Sequence, residues 1–231
     1  MNESTREKNG IHTTNRTLYT YFRSSAAYRV RIALSLKGLD YDSIPVHLVR
    51  DGGEQHKPTY REVNPFGLVP SYVENGRILR QSLAIIEYIN ECHPEPPLLP
   101  LKPYARAEVR ELALSIACDI HPLNNTRILK YLQHEIHADD EARVRWMRHW
   151  MQVGFGAFET LLSAMSDVNG PFCYGEVPTI ADCCLIPQLF NARRFGVDLT
   201  AFPRLVEIDS ACQDLEAFRQ AHPSRQPDSE A

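Results

Sequence analysis

The sequence predicts an α/β domain followed by an all-α domain. Over the first hundred residues β-type and helical runs follow one another in the order strand, helix, strand, hairpin, helix. Pro94, Pro96, Pro97, Pro100 and Pro103 then interrupt every helical pattern and mark a linker. Beyond them strand signals fade and long helical periods take over. The expected organisation is a tail over 1–15, an α/β domain over 16–100 and a helical domain over 101–231.

The elements follow in order. Residues 1–15 are polar and of mixed charge, which predicts a disordered tail. They have no apolar h-region for a secretory signal, and Glu3 and Glu7 argue against a transit peptide. A β-type run at 17–22 breaks at Ser24 and Ser25 into a helix over 25–37, closed by Gly38, and a second strand lies around 41–48. After a loop and a short helical turn, runs at 71–74 and 77–80 flank Asn75-Gly76, the strongest short hairpin signal. Ser82 is the expected N-cap of a helix over 83–92, whose Leu83, Ile86 and Ile89 share the sheet-facing side. The order βαβ, ββα is thioredoxin-like. Helical periods follow at 104–132, 139–163 and 179–195. The last opens on Thr179-Ile180-Ala181-Asp182, a capping-box pattern with Asp in place of the usual Glu or Gln, assigned to folding.

A chain of 231 residues buries roughly 70% of its unfolded surface and needs no metal or disulfide staple. With 43% apolar and 23% charged residues and a net charge of -4, it has no electrostatic footprint for nucleic acid or an anionic membrane. No stretch approaches the ~18 apolar residues of a membrane span. Cys92, Cys118, Cys173, Cys183, Cys184 and Cys212 form no CxxC or Cys/His metal pattern. Cys183 and Cys184 are adjacent in an apolar helical segment, where a bridge would be strained. Buried free thiols in a reducing cytosol are the expected reading, so the protein is placed in the cytoplasm.

Chemistry is suggested first at Ser24 and Ser25. A serine pair at a strand-to-helix junction caps the helix, and the unpaired N–H groups with the positive end of the dipole form an anion or thiolate site. A plain helix cap explains the same residues. No Ser-His-Asp arrangement can be read from the chain, so Ser24 is not read as a nucleophile.

The stretch Tyr19-Thr20-Tyr21-Phe22-Arg23-Ser24-Ser25, with Tyr28-Arg29-Val30-Arg31-Ile32-Ala33-Leu34, resembles the zeta class of glutathione transferases, the maleylacetoacetate isomerase family. Similar words continue at Asp51-Gly52-Gly53, Asn64-Pro65, Leu68-Val69-Pro70, Gln81 to Tyr88, His121-Pro122-Leu123-Asn124-Asn125, Arg194 to Thr200, Ala221-His222-Pro223 and Gln226-Pro227-Asp228. The resemblance spans about Leu18 to Asp228.

It implies a glutathione transferase-like fold with glutathione as cofactor. Ser24 then donates a hydrogen bond that favours the thiolate, beside Ser25. Val69 binds through its main chain before a cis Pro70, and Gln81 and Ser82 hold the γ-glutamyl end, though Ser82 as a mere cap is compatible with both readings. Gln55, His121, Asn125, Thr126 and Arg127 resemble further contacts, with a satisfied histidine at a helix bend as the other reading of His121. Arg23 and Arg194 grip substrate carboxylates, solvated surface arginine being the alternative, above all for Arg194 beside Arg193. The implied reaction is reversible thiolate addition to a maleyl-type diacid, rotation and elimination to the trans product.

Maleylacetoacetate is the preferred substrate, on the opening and the Asp51-Gly52-Gly53 loop. Asn124 to Arg127 looks instead like maleylpyruvate isomerases. Conjugation or dehalogenation of α-halo acids, and glutathione binding without turnover, are the remaining readings. The family's usual cysteine two places after the first serine is Ala26 here, which excludes a protein thiol at that place. A homodimer is also implied.

Overall fold

The computed structural model describes residues 15–165 and 169–230. The expected disordered tail lies outside the described residues except for Asn15, whose side-chain amide donates to Asn75 Oδ1 at 2.8 Å.

Four strands, β1 (Arg16–Thr20), β2 (Asp42–Pro45), β3 (Ser71–Glu74) and β4 (Arg77–Arg80), form one sheet in the order β2-β1-β3-β4. β1 runs parallel to β2 and antiparallel to β3, which pairs with β4. The parallel pair needs a crossover, supplied by helix α1 (Ser25–Leu36). Asn75 and Gly76 have φ of +51° and +75°, as a tight two-residue hairpin turn requires.

Two strands are shorter than expected. β1 ends at Thr20 because Tyr21 and Phe22 already belong to the turn into α1, where the Ser24 N–H donates to the Tyr21 carbonyl at 2.9 Å. β2 stops at Pro45, which has no N–H to offer and is tolerated at the sheet's edge.

α1 is buried almost all round, because it lies between α3 (Ser82–Cys92) on one side and two later helices, α7 (Ile180–Arg194) and α9 (Glu216–Ala221), on the other. Leu18, Ile32, Ile86, Leu98, Leu112, Phe155, Leu185 and Phe218 accordingly belong to one continuous core that draws on both halves of the chain. Between the parallel and antiparallel parts of the sheet lie two short 3-10 turns and α2 (Pro58–Val63).

Several expectations are corrected. α3 begins at Ser82 itself, so Ser82 is not its N-cap; Gln81 is, with φ +71° and no capping side-chain bond. The Ser82 hydroxyl instead accepts from Arg29 Nη1 at 3.2 Å, because that guanidinium is buried and needs an acceptor. The helix expected over 104–132 is broken into α4 (Pro103–Leu114), a π-helical segment (Ser115–Ile120), a 3-10 turn (His121–Asn124) and α5 (Thr126–His134). Pro122 cannot donate a helical bond and its ring blocks a continuous helix. The π-helical segment docks Ile120 onto Gly154 of α6 (Asp140–Ala164), where an added Cβ would lie 2.3 Å from Ile120 Cγ1. Two helices had not been anticipated, α8 (Pro203–Gln213) and α9, the first opened by Pro203 at its N-terminus. Of the six thiols Cys173, Cys183, Cys184 and Cys212 are buried, whereas Cys92 and Cys118 are exposed, being at the end of α3 and in the π-helical segment.

The capping box forms as expected. Thr179 Oγ1 accepts from the Ala181 N–H, and Asp182 Oδ2 accepts from the Thr179 N–H at 2.7 Å. Asp182 also accepts from the Cys173 N–H at 2.8 Å, so it joins the start of α7 to the preceding loop.

Candidate active site

The turn into α1 faces the 3-10 turn and α5 of the helical half across a cavity of about 300 Å³. Ser24 stands in its wall as the N-cap of α1, with extended backbone and its Oγ accepting from the Ala27 N–H at 3.2 Å. A hydroxyl that accepts this bond keeps its own proton, so capping and donation to a ligand are compatible. Ser25 also borders the cavity, but its hydroxyl donates to the Pro187 carbonyl at 3.5 Å and ties α1 to α7.

The same wall carries Val69, whose peptide bond to Pro70 is cis, and Gln55. Gln55 is buried; its Nε2 donates to the Leu48 carbonyl at 3.2 Å and its Oε1 has no partner. Gly53, at φ +108°, makes room for this amide, since a Cβ there would lie 2.5 Å from Gln55 Nε2.

The opposite wall is built by the broken helix. The 3-10 turn supplies His121 and Asn124, and Asn125 caps α5 by accepting from the Arg127 N–H at 3.1 Å. Thr126 and Arg127 follow in the first turn. Asn124 Nδ2 is used by the Ile120 carbonyl, leaving its buried Oδ1 as a second unpartnered acceptor. The Arg127 guanidinium makes no hydrogen bond or ion pair with any described residue. His121 is pushed down to about 3, first by burial and then by the guanidiniums of Arg29 and Arg127, so its ring is neutral throughout the physiological range.

Two further guanidiniums converge on the cavity from opposite halves. Arg23 precedes Ser24, and Arg194 ends α7. Burial, followed by the like charge of Arg23, lowers the pKa of Arg194, and the phenol of Tyr21 feels both arginines. Arg194 lies over the Phe195 ring at 5.0 Å and has no hydrogen-bonding partner among the described residues. Its neighbour Arg193 pairs with Asp209 at 2.6 Å. The two adjacent arginines therefore have separate fates.

Gln81 and Ser82 do not line this cavity; they sit at the N-terminus of α3, with Ser82 turned to Arg29. Ala26 contributes a methyl group, and no cysteine is among the lining residues. Tyr21, Asn124, Lys130 and Asn191 line the cavity although sequence reasoning had not singled them out as site residues. Lys130 reaches across the mouth to the Gly52 carbonyl at 3.4 Å, and its position three residues after Arg127 on one helix face was the available signal.

The arrangement joins a hydroxyl donor at a helix N-terminus, unpartnered amide acceptors and cations set to receive carboxylates. Such a site suits an anionic, peptide-like ligand.

Residues 18–97 match the family model described as the N-terminal domain of glutathione S-transferase. The maleylacetoacetate isomerase of Pseudomonas aeruginosa is 47% identical over 215 residues, which are 93% of this chain and 99% of that protein. A holo structure of a maleylpyruvate isomerase, a bacterial glutathione transferase of the zeta class, superposes with a TM-score of 0.89 at 46% identity, covering 93% of this chain and all of the other. The maleylacetoacetate isomerase of Methylobacterium extorquens, solved with malonate and glutathione, also gives 0.89, at 40% identity and the same coverage.

Proposed function

The chain belongs to the zeta class of glutathione transferases, the maleylacetoacetate isomerase family, and from that premise we propose that it converts maleylacetoacetate to fumarylacetoacetate with glutathione as cofactor. The observation that carries the reading is one cavity shared by Ser24, with a free hydroxyl proton, and by Arg23 and Arg194 from opposite halves of the chain. A relative with malonate and glutathione bound supports the pairing of a thiol peptide with a diacid.

The residues fit glutathione. Gln55 Oε1 and Asn124 Oδ1 are buried acceptors without partners, and peptide N–H groups suit them. The main chain of Val69, in the cavity wall, suits the cysteinyl segment, and Arg127 suits a carboxylate. Ser25, Asn125 and Thr126, at the heads of α1 and α5, add helix N-termini to these contacts, while Gln81 and Ser82, at the head of α3 outside the lining, are assigned the γ-glutamyl end on family likeness alone. Glutathione, when bound, supplies a thiolate that adds reversibly to the cis double bond, so that rotation and elimination give the trans isomer.

Ser24 donates its proton toward the sulfur and, with the N-terminal dipole of α1, favours the ionised thiol. Arg23 and Arg194 hold the carboxylates and stabilise charge that moves toward them during addition. His121, neutral, offers a hydrogen bond without adding to the positive charge of the cavity. The cytoplasm, a homodimer and a place in aromatic amino-acid breakdown complete the proposal.

Parallel assays following loss of the maleyl chromophore, on maleylacetoacetate and on maleylpyruvate, test it. Faster turnover of maleylacetoacetate is expected. Preference for maleylpyruvate would move the reaction to gentisate breakdown, and turnover of neither would reject the isomerase.

A further inference from the structure

After α9 the chain turns through Pro223–Arg225 and runs back to the segment preceding α1. Gln226 ties it down, its Nε2 donating to the carbonyls of Gln220 at 2.9 Å and His222 at 3.1 Å. Asp228 Oδ2 then accepts the backbone N–H of Phe22 at 2.9 Å, one residue from Arg23. Two residues later Glu230 meets three donors: Arg23 Nη2 at 3.3 Å, His47 Nε2 at 3.0 Å and Arg50 Nη2 at 3.0 Å. A guanidinium of the cavity is thus held by a carboxylate of the chain's own C-terminal segment.

We propose that Glu230 is an internal competitor for the substrate carboxylate at Arg23 and thereby sets the affinity for diacids; this rests on the assignment of Arg23 to a substrate carboxylate. The contact has the form of an exchangeable one. It is single, it is the longest of the three, and its side chains are 34% and 43% exposed. Exposed pairs of this kind shift an equilibrium at most about fivefold. His47 and Arg50 remain on Glu230 when Arg23 leaves, so the exchange strands no charge. Arg23 is meanwhile steadied by the Phe22 ring, 4.6 Å below its guanidinium carbon, and one anionic partner can replace another there. A carboxylate competes for this donor because it is the same chemical group that the substrate presents.

The test uses Glu230→Gln, which removes the charge and keeps the shape. Succinate, a diacid with no double bond to isomerise, is titrated calorimetrically into the 231-residue protein saturated with glutathione. The dissociation constant for succinate is expected to fall about two- to fivefold in the variant, the upper limit being that of an exposed pair. KM for the maleyl diacid is expected to fall in proportion, with kcat unchanged. Equal or weaker succinate binding by the variant overturns the competition while the diacid reading stands. A wild-type protein that binds no succinate overturns the diacid reading and the competition with it.

Discussion

His121 enters the cavity as a neutral ring between two guanidiniums, and this has a consequence for stability. Its folded pKa, about 3, lies below the ordinary 6.5, so the unfolded chain takes up a proton at higher pH than the folded one. Its favourable contribution is complete above about pH 6.5 and is lost as pH falls from there toward 3. His222, lowered by burial and by Arg31 and Arg225, acts in the same direction. The lowered carboxylates of Glu54 and Glu87 begin to matter only nearer their ordinary range, and buried Asp182, raised by desolvation, acts oppositely but equally in both proteins, so the difference between wild type and His121→Gln over pH 6.5 to 5 isolates His121. The denaturant midpoint is expected to drop across that window, and by less in His121→Gln. Equal drops in the two proteins would show that His121 protonates freely in the folded state. At this scale the role of Ser24 could be suggested from its neighbours and that of Arg194 from its family-like position, but the neutrality of His121 could not. It depends on Arg29, which comes from another element and is buried beside it.

At the scale of elements, two helix beginnings face the cavity. α1 presents Ser24 and α5 presents Asn125 and Arg127. α7 is positioned by the capping box, whose Asp182 is fully buried and accepts from the N–H groups of Cys173 and Thr179. Asp182→Ala leaves both donors unpaired, at a cost of about 3 kcal/mol. Chemical denaturation should register that loss, while glutathione binding by the folded fraction remains unchanged. A fall in affinity at full stability would give Asp182 a part in the site. The caps of α1 and α7 were legible because Ser24 and Thr179-Asp182 carry their chemistry locally. The break at 115–124 was less so. Apolar spacing continues through the π-helical segment, with Ile116 and Ile120 both buried, and only Pro122 signalled a change.

For the whole molecule, the site exists because two dissimilar halves close on one another. α1 packs against α7, Ser25 bonds Pro187, and Arg23 and Arg194 are thereby brought to one space. The element order made the α/β half and its hairpin legible, and the resemblance to the zeta-class family pointed to Gln55, Val69 and the arginines. Tyr21 and Asn191 were not legible, since lining a cavity between halves depends on their docking and on no local pattern. In this cavity Ser24 is expected to turn a bound thiol into a thiolate. The most direct measurement is titration of enzyme-bound glutathione by its ultraviolet thiolate absorbance, in the wild type and in Ser24→Ala. The wild type should ionise the thiol at least about one unit below the ordinary ~8.5 of a free thiol, and the variant should restore most of that difference. An unshifted titration in the wild type, or the same shift in both proteins, would contradict the account.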